Sequence, residues 1–147
     1  MADRIVVMRE GSIMQIAAPE QLFRAPNSAW VCEFVGAGNL LRGPMEPAVA
    51  GVMRMQIGPG SFIDVAAGAG EVIQVPFDRM RLAQADAATG LPVIGRRYLG
   101  SMVELHMAGE HGIVRAHMPM EQAVDFPIGC HASVRAEVAD CRRVGEQ

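Results

Sequence analysis

The sequence predicts a mainly β protein: a small β-barrel or sandwich, preceded by a short β-hairpin and two short helices. Two observations carry this. From about residue 39 the apolar residues alternate with polar ones in short runs broken by Gly-rich turns, and nothing there keeps helical spacing for long. Before that point the apolar residues are continuous or helically spaced, and Pro and Gly bound them. With 147 residues, 50% of them hydrophobic and 20% charged, the chain can build one core or two small ones and lies outside the disordered range.

Ile5-Val6-Val7-Met8 is a continuous apolar run, the pattern of a strand buried on both faces, as in a parallel sheet. Glu10-Gly11-Ser12 makes a turn. Ile13–Ile16 then pairs back as a second, antiparallel strand. Pro19 suits a first helical position, with Glu20 favoured by the helix dipole, and this helix ends at Arg24 before Pro26. Ser28 is the N-cap of the next helix and Gly36 its C-cap. Trp30, Val31, Phe34 and Val35 fall on one face of it. Beyond residue 39, Met53, Met55 and Ile57 alternate with Arg54 and Gln56. Gly58-Pro59-Gly60 turns, and Ile63 and Val65 alternate with Phe62 and Asp64. Further strands are expected at Val72–Val75, Val93–Leu99, Met102–Met107, Ile113–Met118 and Ala132–Val138. Gly100 is read as a bulged or bent position between two of them.

Composition removes several classes. No apolar run is long enough to span a bilayer, so no direct membrane insertion is expected. No charged n-region precedes an apolar h-region, and a cytoplasmic location is expected. A net charge of −3 and few aromatic residues argue against a nucleic-acid partner. Cys32, Cys130 and Cys141 lack C-x-x-C spacing and read as reduced thiols. The chain contains no Lys, so it cannot write G-x-x-x-x-G-K-[ST], the loop that cradles phosphates.

Ala2-Asp3-Arg4-Ile5-Val6-Val7-Met8, then Glu10-Gly11, Gln15, Pro19-Glu20, Leu22-Phe23, Pro26, Phe34-Val35-Gly36 and Asn39-Leu40-Leu41, closely resembles the end of an ATP-binding cassette (ABC) importer ATPase. Tyr98-Leu99-Gly100-Ser101 is similar to the Y-x-G-S segment of the OB-like TOBE module appended to many such ATPases. Val75 to Leu82 reads V-P-F-D-R-M-R-L where the family has V-R-P-E-D-[LIV]-x-L, so the Arg-Pro pair is missing. Ile128-Gly129 resembles the family's last turn, with Cys130 in place of an acid.

The resemblance implies two parts: residues 1–36 from the end of the nucleotide-binding domain, and residues 37–147 as a TOBE-like regulatory β domain. It implies a cytoplasmic subunit, peripheral to the inner membrane, that homodimerises and engages membrane permeases. The nearest group imports polyamines, iron or sugars, with polyamine the first choice. ATP and Mg²⁺ would be held by the parent protein, and this chain is expected to hold no cofactor and to have no enzymatic activity. Two other classes stay open: a stand-alone module for small oxyanions, and an OB-type nucleic-acid binder.

Three constellations carry the site expectations. Glu104, His106, His111 and His117 could bring metal ligands together, but a solvated face with Arg115 paired to Glu104 is the expected arrangement, and no metal site is expected. The pairs Met53/Met55 and Met118/Met120 are soft ligand types, with Met53 and Met55 expected as core filler. Arg96, Arg97, Tyr98 and Ser101 offer donors for a small anion or ligand. Ile5, Val6, Val7 and Met8 are the expected self-association segment, because a strand apolar on both faces needs a partner. No local signature supports a nucleophile or any other catalytic residue.

Overall fold

The computed structural model describes residues 3–147; Met1 and Ala2 of the N-terminal expectations lie outside the described residues. The chain begins with a hairpin of β1 (Ile5–Arg9) and β2 (Ser12–Ala17), turned by Glu10 and Gly11 at positive φ. Two helices follow, α1 (Pro19–Arg24) and α2 (Ala29–Val35). α1 starts at Pro19 without a side-chain cap, and α2 starts and stops where its capping residues direct. Ser28 Oγ accepts the Val31 N–H at 3.2 Å, and Gly36 closes α2 at φ 69°.

The rest is strands. β3 (Asn39–Leu41), β7 (Val72–Val75) and β13 (Arg142–Val144) form a three-stranded antiparallel sheet with β7 in the middle. That position explains why all four residues of β7 are buried. A larger sheet contains β4 (Glu46–Val49), β5 (Val52–Gly58), β6 (Ser61–Ala66), β8 (Arg81–Ala85), β9 (Leu91–Leu99), β10 (Met102–Gly109), β11 (Gly112–Pro119) and β12 (His131–Ala136). Its order is β11-β10-β9-β12-β6-β5-β4, with β8 also on β12. All its pairings are antiparallel except β12 with β6. No described pairing joins its two ends, so it does not close into a barrel. The alternating residues meet in one core, including Met55, Ile57, Ile63, Val65, Leu105 and Val134. Met55 is core filler as expected, and Met53 packs on the rim. A short α3 (Met120–Ala123) follows β11.

Two local expectations are corrected. Ile5–Met8 is not covered on both faces. Val7 is buried with Leu22 and Val31, but Val6 and Met8 are exposed, because the hairpin has only one layer against it. Phe34 is not on the buried face of α2. It is 65% exposed and stacks on Trp30 at 5.1 Å. The helix is instead gripped on two sides, by the hairpin through Val31 and by Val72 and Val144 through Ala29.

Asn39 links the two β parts. Its backbone pairs with Val75, and its carboxamide reaches the outer edge of β11. There Nδ2 donates to the Arg115 carbonyl at 2.7 Å, and Oδ1 accepts the Arg115 N–H at 2.8 Å. One side chain thus supplies both halves of a strand-to-strand peptide pairing at an edge that would otherwise stand open. The preceding Gly38 has φ 146°, and a β-carbon there would overlap the Val75 carbonyl oxygen. Gly100, by contrast, sits in the two-residue turn between β9 and β10 at φ 72°, with open space where a β-carbon would stand. The register irregularity of this pair lies instead at Ile94 of β9, the extra residue between Val93, opposite Met107, and Gly95, opposite His106.

Asn39→Ala should cost roughly 2–4 kcal/mol, because it strands two peptide groups at Arg115. Chemical denaturation checks the cost, and amide exchange at Arg115 should speed up. Gly100→Val should cost about 1–2 kcal/mol from the left-handed backbone alone. Gly38→Ala should cost more, since overlap adds to the backbone strain. Equal melting temperatures for these two variants would contradict the packing described.

Candidate functional site

The principal polar cluster is built on three neighbouring strands. Antiparallel register sets Glu104 of β10 opposite His117 of β11 and opposite Arg97 of β9. His106 lies two residues on from Glu104, on the same face of β10. It is opposite Gly95, where a β-carbon would just touch its ring. Glu104 is 2% exposed. Its Oε1 accepts from His106 Nε2 at 2.7 Å and its Oε2 from His117 Nε2 at 2.7 Å. The Arg97 guanidinium stands 3.4 Å from Oε1. Phe77 stacks on the His117 ring at 4.7 Å.

Burial alone would raise the Glu104 pKa. The two imidazole donors and the Arg97 charge outweigh it and hold the carboxyl at about 2. The group is therefore ionised at neutral pH, and each Nε2 must be the protonated nitrogen. A buried anion with three donors is a fixed charge, committed to its neighbours. His106 and His117 keep about a quarter of their side-chain surface, 27% and 25%. His117 also lines a groove of about 320 Å³ with Phe23, Arg24, Gly36 and Phe77. The cluster therefore stands where the β sheet meets α1 and the loop after α2.

The expected solvated face is corrected by this burial. Arg115 does not pair with Glu104: register puts it opposite His106, and its side chain is exposed while Asn39 holds its backbone. His111 does not join His106 and His117. It lies at the β10–β11 turn, close against Gly43, and lines a separate groove of about 490 Å³ with Glu46, Arg54 and Glu110. Among the described residues no group of three or more His, Cys, Asp or Glu is placed to hold a metal ion.

Arg96, Arg97, Tyr98 and Ser101 are not brought to one point. Arg97 turns to Glu104 on one face of β9. Arg96 and Tyr98 share the other, with the guanidinium 5.9 Å from the ring centroid. Ser101 is in the turn, where its carbonyl accepts the Met120 N–H. The three thiols are free, with Cys32 and Cys141 buried. Burial pushes these two up to about 11 and about 12, so they are inert at neutral pH. Met118 is buried and Met120 is exposed, so that pair splits. Sequence reasoning grouped Glu104, His106 and His117 but assigned Arg97 to a different constellation and missed Phe77. The β9 register gives Arg97; Phe77 had no periodic signal.

The depressed Glu104 pKa has a definite sign. Its stabilisation is fully present above the usual value of 4.5 and is lost as pH falls through about 2. Glu104→Gln should thus be less stable than wild type at neutral pH by on the order of 2 kcal/mol. The gap should shrink between those two values. Denaturation midpoints across this range test it, and a gap that stays constant would reject the assignment.

No protein-family model matches the chain. Among curated proteins, it is 30% identical over 157 aligned residues to the spermidine/putrescine import ATP-binding protein PotA of Rubrobacter xylanophilus, an alignment covering 99% of this chain and 41% of that protein. It is 49% identical to PotA of Mycoplasma capricolum over 41 residues, 28% of this chain and 12% of that one. It is 32% identical over 93 residues to the sulfate/thiosulfate import ATP-binding protein CysA of Photorhabdus laumondii, 63% of this chain and 25% of that one. The chain thus spans less than half the length of these relatives. Among solved structures, the cytoplasmic molybdate-binding protein ModG superposes with a TM-score of 0.49 at 18% identity, covering 71% of this chain and 93% of that one. Matched along nearly all of its length, the chain belongs to the family of ABC importer ATP-binding proteins.

Proposed function

We propose that the chain is a non-catalytic regulatory and self-association region of an importer ATP-binding subunit. The observation that carries this reading is the full-length similarity to PotA of Rubrobacter xylanophilus in a chain that has no Lys with which to complete a phosphate loop. ATP, Mg²⁺ and the contact with membrane permeases are assigned to the remainder of such longer subunits, at the cytoplasmic side of the membrane. The division at residues 36 and 37 separates the elements that would belong to the ATPase from the β region that would regulate it. No helix of the described residues is long and apolar enough to cross a membrane.

The Glu104 cluster supports a regulatory role through its place. It borders the groove shared with Phe23 and Gly36, so a shift of α1 or of the loop after α2 would be felt at His117. A solute or regulator seated in that groove would act on the same contact. Polyamine transport is the first assignment to test, on the strength of the PotA relatives.

The isolated chain is expected to give no saturable heat when titrated with Mg-ATP, and no phosphate release. Micromolar ATP binding would overturn the non-catalytic assignment. Sedimentation velocity is expected to show a dimer at high micromolar concentration.

A further inference from the structure

The edges of the large sheet are guarded, with one exception. β4, at one end, is short and carries Glu46 and Pro47. The outer edge of β11 is plugged by Asn39. β8 carries Arg81, paired with Glu137, and Gln84, which donates to the Asp125 carbonyl. β9 is different. Its first residues pair with β12, and Val93 exchanges both backbone bonds with Gly129 and Cys130. Past Val93 no described strand covers the side of β9 away from β10.

Register shows which groups are left. Leu99 and Met102 flank the two-residue turn and form its closing hydrogen-bonded pair. Arg97 is two residues back and also spends its N–H and C=O on β10. Those of Arg96 and Tyr98 face outward. Around this open ladder Ile94, Tyr98 and Ile128 are exposed, Tyr98 by 64%. Arg96 Nε is shut off from solvent and has no acceptor. An unguarded strand edge and an apolar rim ask for another strand.

We propose that this edge of β9 pairs antiparallel with the same edge of a second copy of the chain, about a twofold axis at Arg97. The inference rests on the self-association put forward above and names its surface. Twofold antiparallel pairing at Arg97 sets Arg96 of one chain opposite Tyr98 of the other. Each such pair exchanges both N–H···O=C bonds. The guanidinium then meets the partner ring as well as its own, a complementary pairing of cation and π face. The two Arg97 side chains meet at the axis on the opposite face, where each is already neutralised by its own Glu104. The exposed Val6/Ile16 face of the hairpin is the competing surface.

Sedimentation velocity on the full chain tests this with two variants. Tyr98→Pro removes an outward N–H and the ring while leaving the bonds to β10, so the dimer dissociation constant should rise about tenfold or more. Val6→Lys with Ile16→Lys should leave the dimer intact. Arg97→Cys, made with Cys130→Ser, should give a disulfide-linked dimer on oxidation, because opposed residues of a non-hydrogen-bonded pair lie about 4.5 Å apart at Cα, within disulfide reach. A monomeric wild type would overturn self-association itself. A wild-type dimer that Tyr98→Pro leaves unchanged, or that only the hairpin variant dissolves, would overturn the β9 surface alone. Should Tyr98→Pro fail to fold by circular dichroism, the Arg97→Cys result decides: no cross-link in a self-associating chain rejects the pairing.

Discussion

The two larger β sheets of this chain are joined at their edges by the carboxamide of Asn39. A backbone edge is a row of donors and acceptors that water satisfies only if the edge stays wet. Here the β3 sheet packs against β11, and a buried edge without partners would cost more than the packing gains. Asn is suited to this place because its side chain carries one donor group and one acceptor in the same spacing as a peptide. The short β3 strand, the left-handed Gly38 before it and the buried Gln74 on β7, which donates to the Ala37 carbonyl, all serve to aim that group. The Asn-Leu-Leu motif is thus a joint between sheets.

Behind that joint lies the second polar commitment. Glu104 is a buried charge near the middle of a three-strand ladder. Its charge is tolerated because the cross-strand geometry supplies donors from both neighbours and from its own strand. A buried ion with incomplete partners would be strongly destabilising, so the three strands are held to one register. A slip of β11 by one residue would turn His117 away from the carboxylate and leave Glu104 half-satisfied. The cluster therefore specifies register, and it links that register to the groove beside α1.

Much of the architecture was legible in the sequence because it is written in local terms. The caps at Ser28 and Gly36, the start at Pro19 and the alternation at Met53–Ile57 depend only on near neighbours. The strands β3, β4, β8 and β13 were not legible, since they are short or carry Pro47 and surface polar residues, and gain their pairing from partners far along the chain. Glu104 and His117 could be paired once a hairpin was assumed. The burial of Glu104 and the Phe77 stack on His117 could not be read, because neither follows from the spacing along these two strands. The exposure of Val6, Met8 and Phe34 went unforeseen for a similar reason: periodicity shows which residues share a face and says nothing about whether a second layer arrives to cover it.

The first turn of α2 is finished from the other end of the chain. Ala29 and Trp30 donate their N–H groups to the carbonyls of Gly145 and Glu146, at 2.8 and 3.1 Å, and Arg42 grips the Glu146 carboxylate. During synthesis that helix emerges long before its acceptors exist. Its orphan donors must wait on water until β13 has docked beside β7, so the N-terminal elements reach their final order late. The same arrangement makes the molecule fail as one piece: whatever frays the last strand also uncaps a helix at the opposite end of the sequence.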